Sequence, residues 1–216
     1  MRSCAGRFTD LHFGVHTGLQ NTNIAELTRL WQRSESHGFE WISIWDHFYA
    51  ADGTGNAHSL EAVASHAALA ASTARVRCGS LVYSAGYRHP AVLANAMATL
   101  DQIADGWNVP FIAPDAFAHK VEALNRHCET ADRDPSTITR AINVGIAFQE
   151  EDLHAQYGKM ADFVCPGVLT GSVAEMCDRV GAYREAGAEW LMLSLRSPFD
   201  IEGLDRFAAE VLPALK

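Results

Sequence analysis

A chain of 216 residues, 48% of them hydrophobic, is long enough to bury one full core, and its composition is not that of a disordered, collagen-like or membrane-spanning chain. The net charge of -9, with no run of Lys or Arg, excludes the basic stripe of a nucleic-acid interface and leaves a small organic molecule as the better partner. The five cysteines, Cys4, Cys78, Cys128, Cys165 and Cys177, form no C-x-x-C pair or other metal spacing, which fits reduced thiols in a cytosol.

Residues 1–10 are mixed and polar and lack the apolar run of a signal peptide, so they read as a lead-in to a cytoplasmic domain over 11–216. Leu11 to Val15 is a short apolar run and predicts the first strand. Asn23 to His37 predicts a helix with Ile24, Leu27, Leu30 and Trp31 inward and Ser34 in place of one apolar turn. Asn23 with Glu26 forms a capping box at its start, and Gly38 is its stop. Trp41 to Asp46 is the second strand. Ser59 is expected to cap an Ala-rich helix through Ser72, and Val76 to Val82 is the third strand. Pro90 suits the first turn of a helix to about Ile103, because its missing N–H costs nothing there.

The second half repeats this rhythm. Asp105 to Asn108 is a cramped strand, and the helix from about Pro114 places Phe117, Val121, Leu124 and Cys128 on one face, ending before Pro135. Ile138 to Phe148 is a strand, whereas 149–158 is polar and ambiguous. Ser172 with Glu175 is a second capping box, opening a helix with Val173, Met176, Val180 and Tyr183 inward and Gly187 as its stop. Trp190 to Leu195 is the last strand, and Leu204, Phe207, Val211 and Leu215 mark the closing helix. Six strands alternating with helices predict an α/β fold with a parallel sheet and right-handed crossovers.

The stretch Trp41-Ile42-Ser43-Ile44-Trp45-Asp46-His47-Phe48 concentrates the chemistry. An apolar strand ends in a carboxylate and an imidazole, and ligands of parallel sheets sit at the carboxyl ends of strands, where the loops converge. A structural Asp-His pair that caps the next loop has the same appearance. Trp107 and Asn108 lie at another strand end, where an indole lines a ring and an amide bonds a substrate; plain core packing accounts for Trp107 equally well. Gly171 and Ser172 offer free N–H groups to a phosphate, as every helix start does. His12 and His16 face the same way on one strand, but no third residue is spaced to complete a metal site.

Several segments resemble the luciferase-like monooxygenase family, and more narrowly its branch using the deazaflavin coenzyme F-420. They are Phe13-Gly14-Val15, Trp45-Asp46-His47-Phe48, Gly79-Ser80-Leu81-Val82, Tyr87-Arg88-His89-Pro90-Ala91-Val92, Thr99-Leu100-Asp101-Gln102-Ile103, Ala104-Asp105-Gly106-Trp107-Asn108 and Ala186-Gly187-Ala188 to Ser194. The resemblance implies a (β/α) TIM-type barrel, here incomplete, because the family places two further strands and a Gly-rich phosphate cradle between Ile103 and Ala104. It implies a flavin- or deazaflavin-dependent oxidoreductase, a monooxygenase or hydride-transfer enzyme, using FMN or coenzyme F-420 on a small-molecule substrate. His47 would stand beside the ring as the catalytic group, with Asp46 holding its tautomer. Ser80, Leu81 and Val82 would line the cofactor, with a non-proline cis peptide at Leu81-Val82, and Trp107, Asn108, Gly171 and Ser172 would complete the binding set without a metal. A barrel lacking strands has open edges, which predicts a homo-oligomer. Two other readings stand beside this one: a non-catalytic flavin-binding remnant or assembly protein, and a metal-dependent hydrolase on the same architecture.

Overall fold

The computed structural model describes residues 11–48, 58–84, 87, 106–130 and 134–215. Strands and helices alternate along them: β1 (His12–Thr17), α1 (Ile24–Ser36), β2 (Trp41–Ile44), α2 (Ala62–Ser72), β3 (Arg77–Ser80), β4 (Gly106–Pro110), α3 (Pro114–Thr130), β5 (Thr139–Ala147), α4 (Glu150–Tyr157), α5 (Ala161–Val164), β6 (Val168–Thr170), α6 (Val173–Glu185), β7 (Trp190–Leu195), α7 (Ile201–Arg206) and α8 (Leu212–Leu215). The expected helix from Pro90 to Ile103, and the junction of Ile103 with Ala104, lie outside the described residues. The described chain gathers into two compact units. One holds Gly14 to Tyr87 with Leu195–Phe199, and the other holds the residues up to Phe13, then 106–194 and 200–215.

In the first unit β1, β2 and β3 pair in parallel, with Thr17 opposite Ile44 and Ile44 opposite Ser80. Every residue of β2 is buried, as expected of a parallel strand covered on both faces. The helices supply that cover: Leu27 and Trp31 of α1 and Ala62 and Leu69 of α2 pack with Ile42, Ile44, Trp45 and Cys78 in one apolar cluster. Asn23 accepts the Glu26 N–H at 3.0 Å, so the predicted start of α1 holds. Ile24 is 44% exposed, because it stands in the first turn, ahead of the buried stripe that begins at Leu27. Ser34 fits that stripe by donating its hydroxyl to Leu30 O at 2.9 Å, which removes the cost of burying it. Ser59 does not cap α2. Glu61 does, accepting the Ala64 N–H at 2.7 Å.

In the second unit β4 and β7 each pair in parallel with β5, and β6 pairs with β5 near its carboxyl end. Strand β6 was not foreseen, since three residues after Cys165-Pro166-Gly167 are too few to show a period. The polar 149–158 stretch folds mainly as α4. A capping box between Gln149 and Asp152 starts it, and only Leu153 and Tyr157 turn inward, which left its sequence ambiguous. Leu124 of α3 is half-buried, while Phe117, Val121 and Cys128 form its buried stripe. The closing helix widens to π geometry over Phe207–Val211 before Pro213. A proline ring has no N–H to give and crowds the carbonyl four residues back, and the wider turn makes room for it.

The first unit also buries titratable groups. His16 on β1 is 3% exposed, and its Nδ1 shares a hydrogen bond with Ser43 Oγ at 2.8 Å. Loss of water, and secondarily the nearby Arg196 guanidinium and His47 imidazole, lower its pKa to about 3. The folded protein therefore keeps His16 neutral, while the unfolded chain protonates it below its ordinary value of 6.5. Between those values the unfolded state binds more protons, so stability falls as pH drops, by at most about 1.4 kcal/mol per pH unit for this one group. His66, whose pKa burial also lowers, acts in the same direction. The urea midpoint is expected to fall between pH 7 and pH 5, and His16→Gln should flatten that fall. An equally steep fall in the variant would assign the acid sensitivity to other groups.

A second prediction concerns Gly18, which follows β1. A Cβ built there would stand 2.4 Å from a ring carbon of Trp45, a rigid buried indole. Gly18→Ala is expected to cost about 1–3 kcal/mol through overpacking, read as a lower denaturation midpoint at unchanged slope.

Candidate functional site

The parallel register sets Thr17, Ile44 and Ser80 abreast, so the chain leaves β1, β2 and β3 at one level. The Leu81 N–H donates to Ile44 O at 2.8 Å, carrying the pairing one step past β3, and the next peptide bond, Leu81-Val82, is cis, as the family resemblance implies. Val82 is 63% exposed, an apolar side chain presented to solvent at a strand end. Tyr83, the next residue, shares a 2.7 Å hydrogen bond with Nδ1 of buried His66. The Ser80 hydroxyl is buried and has no hydrogen-bond partner among the described residues.

Trp45, Asp46 and His47 leave β2 at the same level, and the three are treated differently. Trp45 is buried: its ring borders His16 with centroids 5.4 Å apart, carries the Arg196 guanidinium at 5.0 Å, and donates its N–H to Gln20 Oε1. The Asp46 side chain is buried, and its Oδ2 accepts the Ser84 N–H at 3.0 Å. This carboxylate thereby ties the exit of β2 to the segment that follows the cis peptide. His47 is exposed, with its ring centroid 6.0 Å from that of Trp45, while its carbonyl accepts hydrogen bonds from Gln20 Nε2 and, at 2.9 Å, from Ser59 Oγ. Phe48 stacks on Tyr87 with centroids 4.3 Å apart.

This geometry brings Asp46, His47, Ser80, Leu81 and Val82 to the carboxyl ends of adjacent strands. An imidazole open to solvent there can exchange a proton or donate a hydrogen bond, and the exposed Val82 offers apolar surface to a ring. The remaining expected residues belong to the second unit. Trp107 and Asn108 lie within β4, their backbones opposite Arg140 and Ala141 of β5. At Gly171-Ser172 the capping box is formed: the Ser172 N–H and hydroxyl donate to Glu175 Oε2 at 2.8 and 2.7 Å. These bonds hold the Glu175 carboxyl below its ordinary pKa, so it is ionised at neutral pH. A phosphate arriving at Ser172 has to displace that carboxylate.

His12 stacks on Trp190 at 4.7 Å, and no cluster of three metal-ligating side chains occurs among the described residues. Sequence reasoning passed over Gln20 and Arg196, weighed His16 only as a metal ligand and read Ser59 only as a helix cap. The rule that selected His47 would have found the first two, since Gln20 closely follows the end of β1 and Arg196 directly follows β7.

Residues 5–106 match the family described as luciferase-like monooxygenase. No curated protein sequence matches the chain. Among solved structures, an F-420-dependent secondary alcohol dehydrogenase in complex with an F-420-acetone adduct aligns with a TM-score of 0.73 at 14% identity, over 96% of this chain and 100% of that one. The coenzyme F-420 dependent tetrahydromethanopterin reductase of Methanopyrus kandleri aligns with a TM-score of 0.73 at 12% identity, over 96% and 100%. The oxygenating constituent of 3,6-diketocamphane monooxygenase from Pseudomonas putida, in complex with FMN, aligns with a TM-score of 0.62 at 14% identity, over 95% and 99%. Seven parallel strands alternate with helices among the described residues, an α/β fold of the incomplete TIM-barrel type. The first part of the chain, residues 5–106, is thus similar to the luciferase-like monooxygenases, and the fold is the one these solved structures share.

Proposed function

We propose that the chain is a flavin- or deazaflavin-dependent oxidoreductase, taking FMN or coenzyme F-420 and acting on a small organic substrate. The observation that carries this reading is the exposed His47 imidazole at the exit of β2, level with the exposed Val82 at the exit of β3. The residues fit a flat heterocycle: an apolar side chain to lie against it, an imidazole at its edge, and a strand-end hydroxyl, Ser80, without a hydrogen-bond partner among the described residues. A bound flavin or deazaflavin would supply the hydride or oxygen chemistry. His47 orients the ring or handles its proton, Asp46 keeps the two strand exits together through Ser84, and Ser80 with Leu81 and Val82 forms the ring's backing. For Trp107, Asn108, Gly171 and Ser172, which belong to the second unit, a cofactor-binding role rests on the sequence and the family resemblance alone. A single domain over 11–216 lacking the family's middle strands after residue 103, self-association and a cytosolic location belong to the same reading.

Two measurements test it. His47→Ala is expected to lower the rate at which dioxygen reoxidises bound reduced FMN by about 10²-fold or more, with a smaller change in FMN affinity, because a group beside the ring acts on the transition state. Equal constants in variant and parent would remove His47 from the chemistry.

The second is fluorescence titration with FMN and with coenzyme F-420. Each charge-assisted hydrogen bond to a phosphate contributes roughly 1.5–3 kcal/mol. With two such contacts missing, affinity is expected to fall by about two to four orders of magnitude relative to a complete cradle. Binding in the micromolar range or weaker supports the reading. Submicromolar affinity would mean that another cradle replaces the missing one.

A further inference from the structure

Gln20 is 8% exposed and lies three residues beyond β1, yet both ends of its amide are engaged on the exit of β2. Its oxygen accepts the indole N–H of Trp45, and its nitrogen donates to the carbonyl of His47, two residues further on. The neighbours fix the orientation of the amide, because an indole N–H can only donate and a carbonyl oxygen can only accept. Ser59 donates a second hydrogen bond to the same carbonyl at 2.9 Å. The two donors are held to each other by the backbone. Gln20 and Ser59 form an antiparallel bridge, flanked by Asn21 N–H to His58 O at 2.8 Å and Leu60 N–H to Leu19 O at 3.1 Å.

We propose that Gln20, with Ser59 as its second arm, is a positioning residue for His47. That role presupposes the reading of His47 as the ring-side group. The exit Trp45-Asp46-His47 is pinned at three successive points: an indole N–H on Gln20, a carboxylate on the Ser84 N–H, and a carbonyl between Gln20 and Ser59. Fixing the His47 carbonyl fixes its peptide plane, and with it the direction in which Cβ and the imidazole leave the chain. The imidazole itself stays exposed, so its angle toward a ligand depends on this backbone grip. The position calls for one donor and one acceptor at the reach of a glutamine. Glutamate keeps the reach and the acceptor for Trp45, but it loses the donor and turns a carboxylate toward a carbonyl oxygen.

The test uses the whole chain carrying ¹⁵N-labelled histidine, with the His47 ring signals identified by their loss in His47→Ala. Gln20→Glu and Ser59→Ala should each shift those signals. They should also slow dioxygen-dependent reoxidation of bound reduced FMN by about 10- to 100-fold, the scale of an ångström-sized misplacement, with the FMN Kd changed by less than about threefold. Ser59→Thr, which keeps the hydroxyl, should restore both readouts, and Gln20→Glu should add nothing in a His47→Ala background. If His47→Ala alone leaves reoxidation unchanged, the reading of His47 as the ring-side group fails, while the ring signals still report whether Gln20 and Ser59 place the imidazole. Unmoved His47 signals in folded Gln20→Glu and Ser59→Ala would overturn the positioning role, as would an undiminished effect of Gln20→Glu without His47. Should Gln20→Glu not fold, Ser59→Ala and its Ser59→Thr rescue decide the question.

Discussion

Trp45 is where the core of the first unit meets its candidate site, and most of the site's geometry depends on where that indole is held. Its ring packs in the apolar cluster with Leu19, Trp31 and Ile44, so its position is set by close packing rather than by a loop. Gly18 leaves room for the ring, since any Cβ there would overlap it. From this fixed point three consequences spread outward. The indole N–H orients the Gln20 amide, the ring face carries Arg196, and the ring edge borders the buried His16. A side chain shared between a core and a binding surface in this way gives the surface the rigidity of the core.

The polar groups below this point are buried but satisfied in sequence. Trp31 donates to Thr17 Oγ1 at 3.1 Å, Thr17 donates to Ser43 O at 3.3 Å, and Ser43 Oγ meets His16 Nδ1 at 2.8 Å. Each bond contributes only about 1 kcal/mol net, whereas an unmade one costs about 1–3 kcal/mol, so the chain of bonds specifies one arrangement more than it adds stability. The neutral state of His16 follows from this enclosure. A charged imidazole there would lack water and face the Arg196 guanidinium.

The elements with strong local signals were legible in the sequence. Asn23 with Glu26, Ser172 with Glu175, and the stops at Gly38 and Gly187, whose φ values are +85° and +97°, mark helix ends through backbone chemistry that any fold must obey. Strands β2 and β7 were legible because burial on both faces favours near-continuous apolar runs, broken here only by Ser43 and Ser194. Strand β6 and helix α4 were not, one being three residues long and the other having two inward apolar residues. At the site, Asp46 and His47 stood out as polar residues ending an apolar strand. Gln20 and Ser59 carried no such mark: their partners lie 27 and 12 residues away, and the signal is a tertiary contact. Ser59 even suggested a helix cap, because a hydroxyl near a helix start and one bonded to a distant carbonyl look the same in one dimension.

The capping box at Ser172 shows why helix starts read from sequence are weak indicators of anion sites. The N–H groups that make such an end attractive to a phosphate are the same groups that a capping carboxylate satisfies. Here Glu175 takes the Ser172 N–H and hydroxyl through one oxygen, and those bonds hold its pKa below the ordinary carboxylate value. Gly171, with φ near +90°, would bring a Cβ within 2.6 Å of that oxygen, so the turn closes around the carboxylate. An incoming phosphate gains the freed N–H only by giving Glu175 back to water, with its charge intact and nearby. The net gain is therefore smaller than the gross strength of the bonds it makes, and a phosphate is held firmly there only if further donors join it.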